Sequence, residues 1–376
     1  VLPASHTGDD AGGFAEMGSG LDGYADTWRY LSWDLMTYRV FSVRRRRLMA
    51  TPEQPGQLRL AALGLLHPVS RRRRFYQRML GLAMRLGIDG LFAQRADDPL
   101  PDPGISNLLR ELGSILDQPD LEAAVFWPPE TSRGRVYLHL FDRRQRACRP
   151  VGFAKVSLDD INDKRLEHEA TVLNELARKP SDALHVPAVL GRGQVAGHQV
   201  VVTEPLPPDA RPIPARLHAF PAACVKAFAG EAKSIGPDEF PGLSWWPAYR
   251  QHLNGGGEAF DTQLRALVAG GVAVGRAHGD FGPSNIFETS GGLWVLDWEE
   301  SAADAPMLAD EITFDMGVNA RRIARNPVAA LRAFAQRNLR SADDARRGEI
   351  LMALAFRAAV GPRDARLFIR HWETLS

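Results

Sequence analysis

The sequence predicts an α+β chain of two lobes: a small antiparallel-sheet lobe with one helix, then a mainly helical lobe, behind an N-terminal helical extension. Three observations predict it. Short strand-like runs crowd together at 123–127, 135–141 and 150–157, separated by polar, turn-rich stretches. A helical segment over about 162–178, opened by Asp159, Asp160 and Asp163, and two more strand-like runs at 188–191 and 200–203 follow. Pro205, Pro207, Pro208, Pro212 and Pro214 then interrupt the chain, and beyond about residue 215 the periodicity is helical, as in 262–276 and 329–339. The expected organisation is an extension over 1–120, a sheet lobe over 121–207 and a helical lobe over 208–376.

The extension reads as follows. Residues 1 to about 25 are rich in Gly, Asp and small side chains and read as a mobile lead-in; 27–47 is aromatic and apolar enough to pack. Arg44–Arg47 form one basic tetrad. A second, Arg71–Arg74, opens a helix running through Phe75, Met79, Leu82, Met84 and Leu86. Pro99, Pro101 and Pro103 break the chain before a short helix over 107–116. The plainer reading of the tetrads is solvated helix ends or contacts with neighbouring carboxylates such as Asp34 and Glu53; the sharper one is a patch for nucleic acid or an anionic membrane surface, or docking to a protein partner.

Composition narrows the function. The 376 residues carry 46 Lys+Arg against 45 Asp+Glu, a net charge of +1, which argues against a globally basic nucleic-acid binder and against an acidic disordered chain. Two cysteines, Cys148 and Cys224, exclude a disulfide framework and fit a reducing, cytoplasmic location. The start of the chain lacks the pattern of a signal peptide, and no run of 18 apolar residues exists. Only five basic residues are lysines, so a lysine at a telling position carries weight.

The chemistry concentrates in His278-Gly279-Asp280-Phe281-Gly282-Pro283-Ser284-Asn285 and, shortly after, Leu293-Trp294-Val295-Leu296-Asp297-Trp298-Glu299. Asp280 can accept a hydroxyl proton and orient the oxygen. Asn285, five residues on, can ligate magnesium, and Asp297, at the end of an apolar strand, can bridge metal to nucleotide phosphates. At these residues the chain resembles the aminoglycoside phosphotransferase and choline kinase superfamily, relatives of the protein kinases. The resemblance implies a two-lobed protein-kinase-like fold, ATP (or GTP) and Mg2+ as cofactors, and Asp280 as catalytic base. Protein kinases carry a lysine where this chain has Gly282, and Asp-Phe-Gly where it has Asp297-Trp298-Glu299. Both departures point to the small-molecule branch.

The resemblance further implies a strand lysine, a helix glutamate and a hinge upstream. Lys155, in Gly152-Phe153-Ala154-Lys155-Val156, fits the first and would contact nucleotide phosphates. Glu167 and Glu169 compete as its partner. Helical spacing favours Glu169, which shares a face with Leu166, Leu173 and Leu176. Glu204 and Leu206, after the strand 200–203, take the purine-binding hinge positions. Ser132 and Arg133 could cover the phosphates, or simply turn a hairpin. His278 and Asp310 read as braces for the catalytic loop.

The acceptor implied is a hydroxyl of a small molecule. Residues 311–376 hold 12 arginines against 7 acids, which argues against a polycationic aminoglycoside and is more compatible with a sugar, polyol or anionic metabolite; the acceptors expected are a sugar, polyol or amino alcohol. Trp245, Trp246, Tyr249 and Trp372 could cage an ammonium group, although core packing is the plainer role. The rival reading from another class is a catalytically silent nucleotide-binding regulator of the same fold.

Overall fold

The structure, a computed structural model, describes residues 38–43, 46–53, 56–66, 71–95, 104–127, 134–145, 148–195, 197–213, 219–252, 257–361, 363–370 and 372. The lead-in, Arg44 and Arg45 of the first tetrad, and the turn residues Ser132 and Arg133 lie outside these. The first half of the chain runs β1 (Tyr38–Val43), β2 (Arg46–Pro52), α1 (Gly56–Gly64), α2 (Arg71–Arg85), β3 (Ala93–Arg95), α3 (Gly104–Leu116), β4 (Leu121–Phe126), β5 (Arg135–Asp142), β6 (Pro150–Ser157), α4 (Asp160–Ala177), β7 (Val189–Val195) and β8 (His198–Thr203).

The expected sheet lobe is present as β4 to β8 with the single helix α4. Asp159 caps that helix by accepting the Asn162 N–H, with Asp160 and Asp163 in its first turn, as the acids at this position suggest. The extension supplies the expected helices and also three strands that the sequence analysis did not read. All eight strands form one antiparallel sheet in the order β3-β1-β2-β4-β5-β6-β8-β7, with Met49 opposite Phe126 and Ala50 opposite Val125 at the join. Arginines at 44–47, between two runs of alternating side chains, disguise this hairpin as one interrupted segment.

Each face of the sheet has its own cover. Ala154, Val156, Leu138, Val200 and Val202 point to one side, where Ile105, Leu108, Leu109 and Leu112 of α3 seal them. Lys155 necessarily faces the other way. Directly across the ladder from it stand Tyr137 on β5 and Val201 on β8, and Phe126 on β4 stands opposite Tyr137. On that face α4 packs Leu166 and Ala170 onto Val201, while α1 and α2 pack Leu58, Leu63, Leu80 and Met84 around Phe41, Met49 and Phe126. The extension helices α1 and α2 therefore share a sheet face with Lys155, and α3 covers the opposite one.

The second lobe comprises β9 (Arg211–Pro212), α5 (Ala222–Ala229), β10 (Lys233–Ile235), α6 (Trp246–His252), α7 (Glu258–Leu267), β11 (Val272–Ala277), β12 (Ile286–Thr289), β13 (Gly292–Val295), β14 (Ala302–Pro306), α8 (Ala309–Arg325), α9 (Pro327–Asn338), α10 (Asp344–Val360) and α11 (Arg363–Arg370). It is mainly helical, as expected, around α10, whose residues Ile350–Ala359 are all buried. One expected helix is shorter. The periodicity read over 262–276 ends at Leu267, and Gly271, at φ +96°, turns the chain into β11, which pairs with β10 and β14. Val272-Ala273-Val274 alternate like a strand, and the glycine pair before them is the stop signal. Two small three-stranded sheets, β10-β11-β14 and β13-β12-β9, present the loops that carry the motif residues. No helix among the described residues is long and apolar enough to cross a membrane.

If extension and sheet lobe share one core, damage to either is felt by both. Leu112 is completely buried beneath α3. Leu112→Ala should cost about 2–5 kcal/mol. Unfolding followed by tryptophan fluorescence and by protection of β6 amides should remain a single coincident transition; separate transitions would make the extension an independent domain.

Candidate active site

Lys155 is the meeting point of three elements. Its ammonium, on β6, donates to both carboxylate oxygens of Glu169 on α4 at 2.7 and 2.8 Å and to Asp297 Oδ1 at 2.5 Å. Lys155 and Glu169 are almost fully buried, whereas the Asp297 side chain is nearly half exposed. Burial alone would push Lys155 toward the neutral amine, but Asp297 and Glu169 outweigh it and hold the pKa above its ordinary value. Asp297 in turn is held below the usual carboxylate value: burial opposes this, and the Lys155 ammonium prevails. Glu167, the alternative partner, points to solvent.

Asp297 sits just past β13 in the left-handed region, φ 62° and ψ 62°. This unusual backbone for a non-glycine turns its carboxylate back toward β6. The next residue closes the turn. Trp298 is fully buried, its backbone N–H donates to Glu169 Oε1 at 3.3 Å, and its indole donates to the Val295 carbonyl at 3.0 Å.

Asp280 lies in the loop between β11 and β12. The Asn285 amide nitrogen donates both to Asp280 Oδ2 at 2.9 Å and to the Asp280 carbonyl at 3.0 Å, so the five-residue spacing closes a small ring. Asp280 is exposed, yet the protein around it pushes its carboxyl up to about 6. Desolvation is the chief cause, Asp297 adds to it, and Arg357 and the Asn285 amide oppose it. Asn285 is joined to the metal-side strand, since its carbonyl accepts from Leu296 N–H at 2.9 Å.

His278 and Asp310 brace this loop. His278 Nδ1 accepts from Asp280 N–H at 3.2 Å, so Nε2 carries the proton given to the Leu296 carbonyl at 2.8 Å. The ring is fully buried beside Trp298, and burial lowers its pKa to about 4. Asp310, at the start of α8, accepts from the backbone N–H groups of His278 and Gly279; burial raises its carboxyl to about 7 against those two donors. Gly279 has φ +86°, and a Cβ there would stand 2.2 Å from the Glu300 carbonyl oxygen, so no other residue fits.

Glu204 and Leu206 follow β8. The Glu204 N–H donates to the Ala188 carbonyl at 2.8 Å. Leu206 packs with Leu296 against Ala210, Phe287 and Trp294, so the hinge and the strand leading to Asp297 share one small core. The structure thus gathers Lys155, Glu169 and Asp297 into direct contact. It places Asp280 with Asn285 alongside them, and Glu204 with Leu206 at the lobe junction.

Three participants escaped the sequence analysis. Arg135, buried at the start of β5, pairs with Glu299 and donates through Nε to Asn162 Oδ1, tying the sheet, the start of α4 and the Asp297 loop together. Glu299 was visible as part of the motif but without a role. Arg357 is buried in α10 and exerts its charge on both Asp280 and Asp310. Its signal was an arginine inside the otherwise apolar run Ile350–Val360.

The donor set suits a hard cation. Asn285 keeps its amide oxygen and Asp297 its second carboxylate oxygen, two oxygens on adjoining loops, the ligand type magnesium takes. No group of three or more His, Cys, Asp or Glu suited to a metal exists among the described residues. A cation held here would complete its shell with phosphate and water.

No protein-family model and no curated protein matches the chain. Among solved structures it is similar to a putative fructosamine-3-kinase from Thermobifida fusca, at 18% identity over 67% of this chain and 99% of that one, with a TM-score of 0.38. It is also similar to a thermostable aminoglycoside phosphotransferase, APH(4)-Ia, in complex with ADP and hygromycin B (16% identity, 70% and 93% covered, TM-score 0.42). A third is the Streptomyces rimosus aminoglycoside phosphotransferase APH(3'')-Id with ADP and streptomycin (17%, 67% and 97%, TM-score 0.38). These names fall within the superfamily that the motif residues resemble. Likeness at this level carries no argument about this chain's chemistry, which rests on its own residues.

Two measurements test the bracing. A histidine held neutral to about pH 4 has a folded pKa below its ordinary 6.5, so the unfolded chain takes up the proton first as pH falls. The stability it contributes is whole above pH 6.5 and is lost progressively toward pH 4, by up to about 3 kcal/mol. In denaturation midpoints, wild type should lose stability relative to His278→Gln as pH falls through that window; the variant is the reference because Asp280 and Asp310, raised by burial, titrate there with the opposite sign in both proteins. For the Arg135–Glu299 pair, a double-mutant cycle of Arg135→Ala and Glu299→Ala should give a coupling of about 1–3 kcal/mol; strict additivity would leave the pair without a structural role.

Proposed function

We propose that the protein is a phosphotransferase that moves the γ-phosphate of ATP (or GTP) to a hydroxyl of a small molecule, with Mg2+ as cofactor. The observation that carries this reading is an exposed carboxylate of raised pKa, Asp280, fixed by Asn285 beside the Lys155–Asp297 pair. A carboxylate titrating near 6 is a better proton acceptor than an ordinary one and is still ionised at neutral pH. Asp280 accepts the acceptor's hydroxyl proton and points its oxygen at the γ-phosphorus. Lys155 holds nucleotide phosphates, with Glu169 fixing its ammonium. Asn285 and Asp297 would hold magnesium, which neutralises charge on the phosphates. Glu204 and Leu206 offer their backbone to the base.

The described residues of the helical lobe lend support to one acceptor class. Trp245, Trp246, Tyr249 and Trp372 are all buried in its core, so none is available to cage an ammonium ion. With the excess of arginine over residues 311–376, this favours a sugar or other polyol over a polycation. A silent nucleotide-binding regulator has no use for Asp280 held by Asn285, which is why the catalytic reading is preferred.

Thermal shift with ATP or GTP and magnesium, coupled to a turnover screen of sugars and polyols, tests the assignment. At a hundredfold excess over the dissociation constant the wild type should gain about 2.7 kcal/mol. Asp297→Ala should lose the magnesium-dependent part, whereas Asp280→Asn should keep the shift and lose turnover. Full turnover in either variant would overturn the proposal.

A further inference from the structure

Helix α2 carries a feature unrelated to the cleft chemistry. Ten large hydrophobic side chains are exposed among the described residues; seven of them fall between residues 75 and 92, and the other three, Ile161, Leu190 and Val328, are scattered. Phe75, Met79, Leu82 and Leu86 are spaced by four, three and four residues, so they fall within an arc of about 60° on one side of the helix. Phe75 is 66% and Leu86 63% exposed. Ile88, Leu91 and Phe92 continue the apolar surface beyond the helix, Leu91 at 81% exposure.

This is not a loosely packed core helix. Its inner face is anchored by Leu80, Ala83 and Met84, and the Gln77 side chain donates to the carbonyls of Leu63 and Leu66 at 2.7 Å each. The outward stripe is therefore held rigidly outward. Singly exposed hydrophobics need no explanation; a contiguous row on an anchored helix does.

Charge decides what covers it. Residues 71–88 contain six arginines and no Asp or Glu. Exposed Arg74, Arg78 and Arg85 fall on the helix arc next to the apolar stripe, and Arg71–Arg73 form its first turn. A convex apolar ridge lined by cations matches the interface of an anionic bilayer, where the ridge enters the acyl boundary and the guanidinium groups meet lipid phosphates. Nucleic acid would use the arginines and leave the ridge wet. We propose that α2 and the turn after it dock the protein onto an anionic membrane surface.

The test is sedimentation of the full-length protein with vesicles of phosphatidylcholine alone and of phosphatidylcholine mixed with phosphatidylglycerol. Binding is expected to the anionic vesicles only, and to weaken as salt rises. The double variant Phe75→Ser with Leu82→Ser should lose about tenfold or more in affinity; Arg78→Glu with Arg85→Glu should remove the preference for anionic lipid. Both pairs are exposed, and an unchanged melting temperature confirms the fold. Failure to bind anionic vesicles, or equal binding by the variants, overturns the proposal. So does a concentration-dependent dimer seen by light scattering that Phe75→Ser with Leu82→Ser abolishes, because a second copy of the chain would then own the face.

Discussion

One ammonium group sets the geometry of the site. Lys155 is carried on a strand whose neighbours are fixed by ladder hydrogen bonds, and it binds carboxylates from a helix and from a loop of the other lobe. A buried cation with no partner costs several kcal/mol, so neither Glu169 nor Asp297 can drift without penalty. The constraint propagates. Glu169 also accepts from the backbone of Trp298, and the helix that carries it is docked to the same loop by His168, whose ring contacts the Ser301 carbonyl at 2.7 Å. Strand, helix and loop are thus fixed relative to one charge.

A second network, built mainly on hydrogen bonds to the backbone, holds the Asp280 loop. His278 joins Asp280 to Leu296, Asp310 accepts from the backbone N–H groups of His278 and Gly279, and Ser301 Oγ donates to the Ala277 carbonyl at 2.8 Å. These bonds lie beneath a packed aromatic group of Trp298, Phe228 and Phe281. Hydrogen bonds sheltered from water are stiff and cannot be exchanged for solvent without leaving a buried group unpaired. The two networks meet at the residues on either side of one peptide bond, Leu296 and Asp297.

Local chemistry was readable and distant pairing was not. Asp280, Asn285 and Asp297 announce themselves because their spacing is what the loop needs. Glu169 could be told from Glu167 because a helix has a period. The strand Lys155 stood out in a chain with few lysines. By contrast Arg135 and Glu299 are 164 positions apart, and nothing in either neighbourhood names the other. The strands β1 and β2 were hidden because a run of arginines carries no period of its own. The strand β11 was absorbed into the preceding helix because an alternating apolar run can satisfy both templates until the two glycines before it are weighed.

The continuous eight-stranded sheet bears on how small this protein can be made. A chain beginning at β4 would keep every motif residue, yet β4 would become an edge strand with its outer amide and carbonyl groups unmatched. Ala124, Phe126 and Phe141 would lose the cover of α1 and α2, and the opposite face would lose α3. Such a fragment would pair with itself along that edge and precipitate. The minimal soluble unit is therefore larger than the catalytic outline drawn by the motifs. In this architecture the extension serves as the guard rail of the sheet.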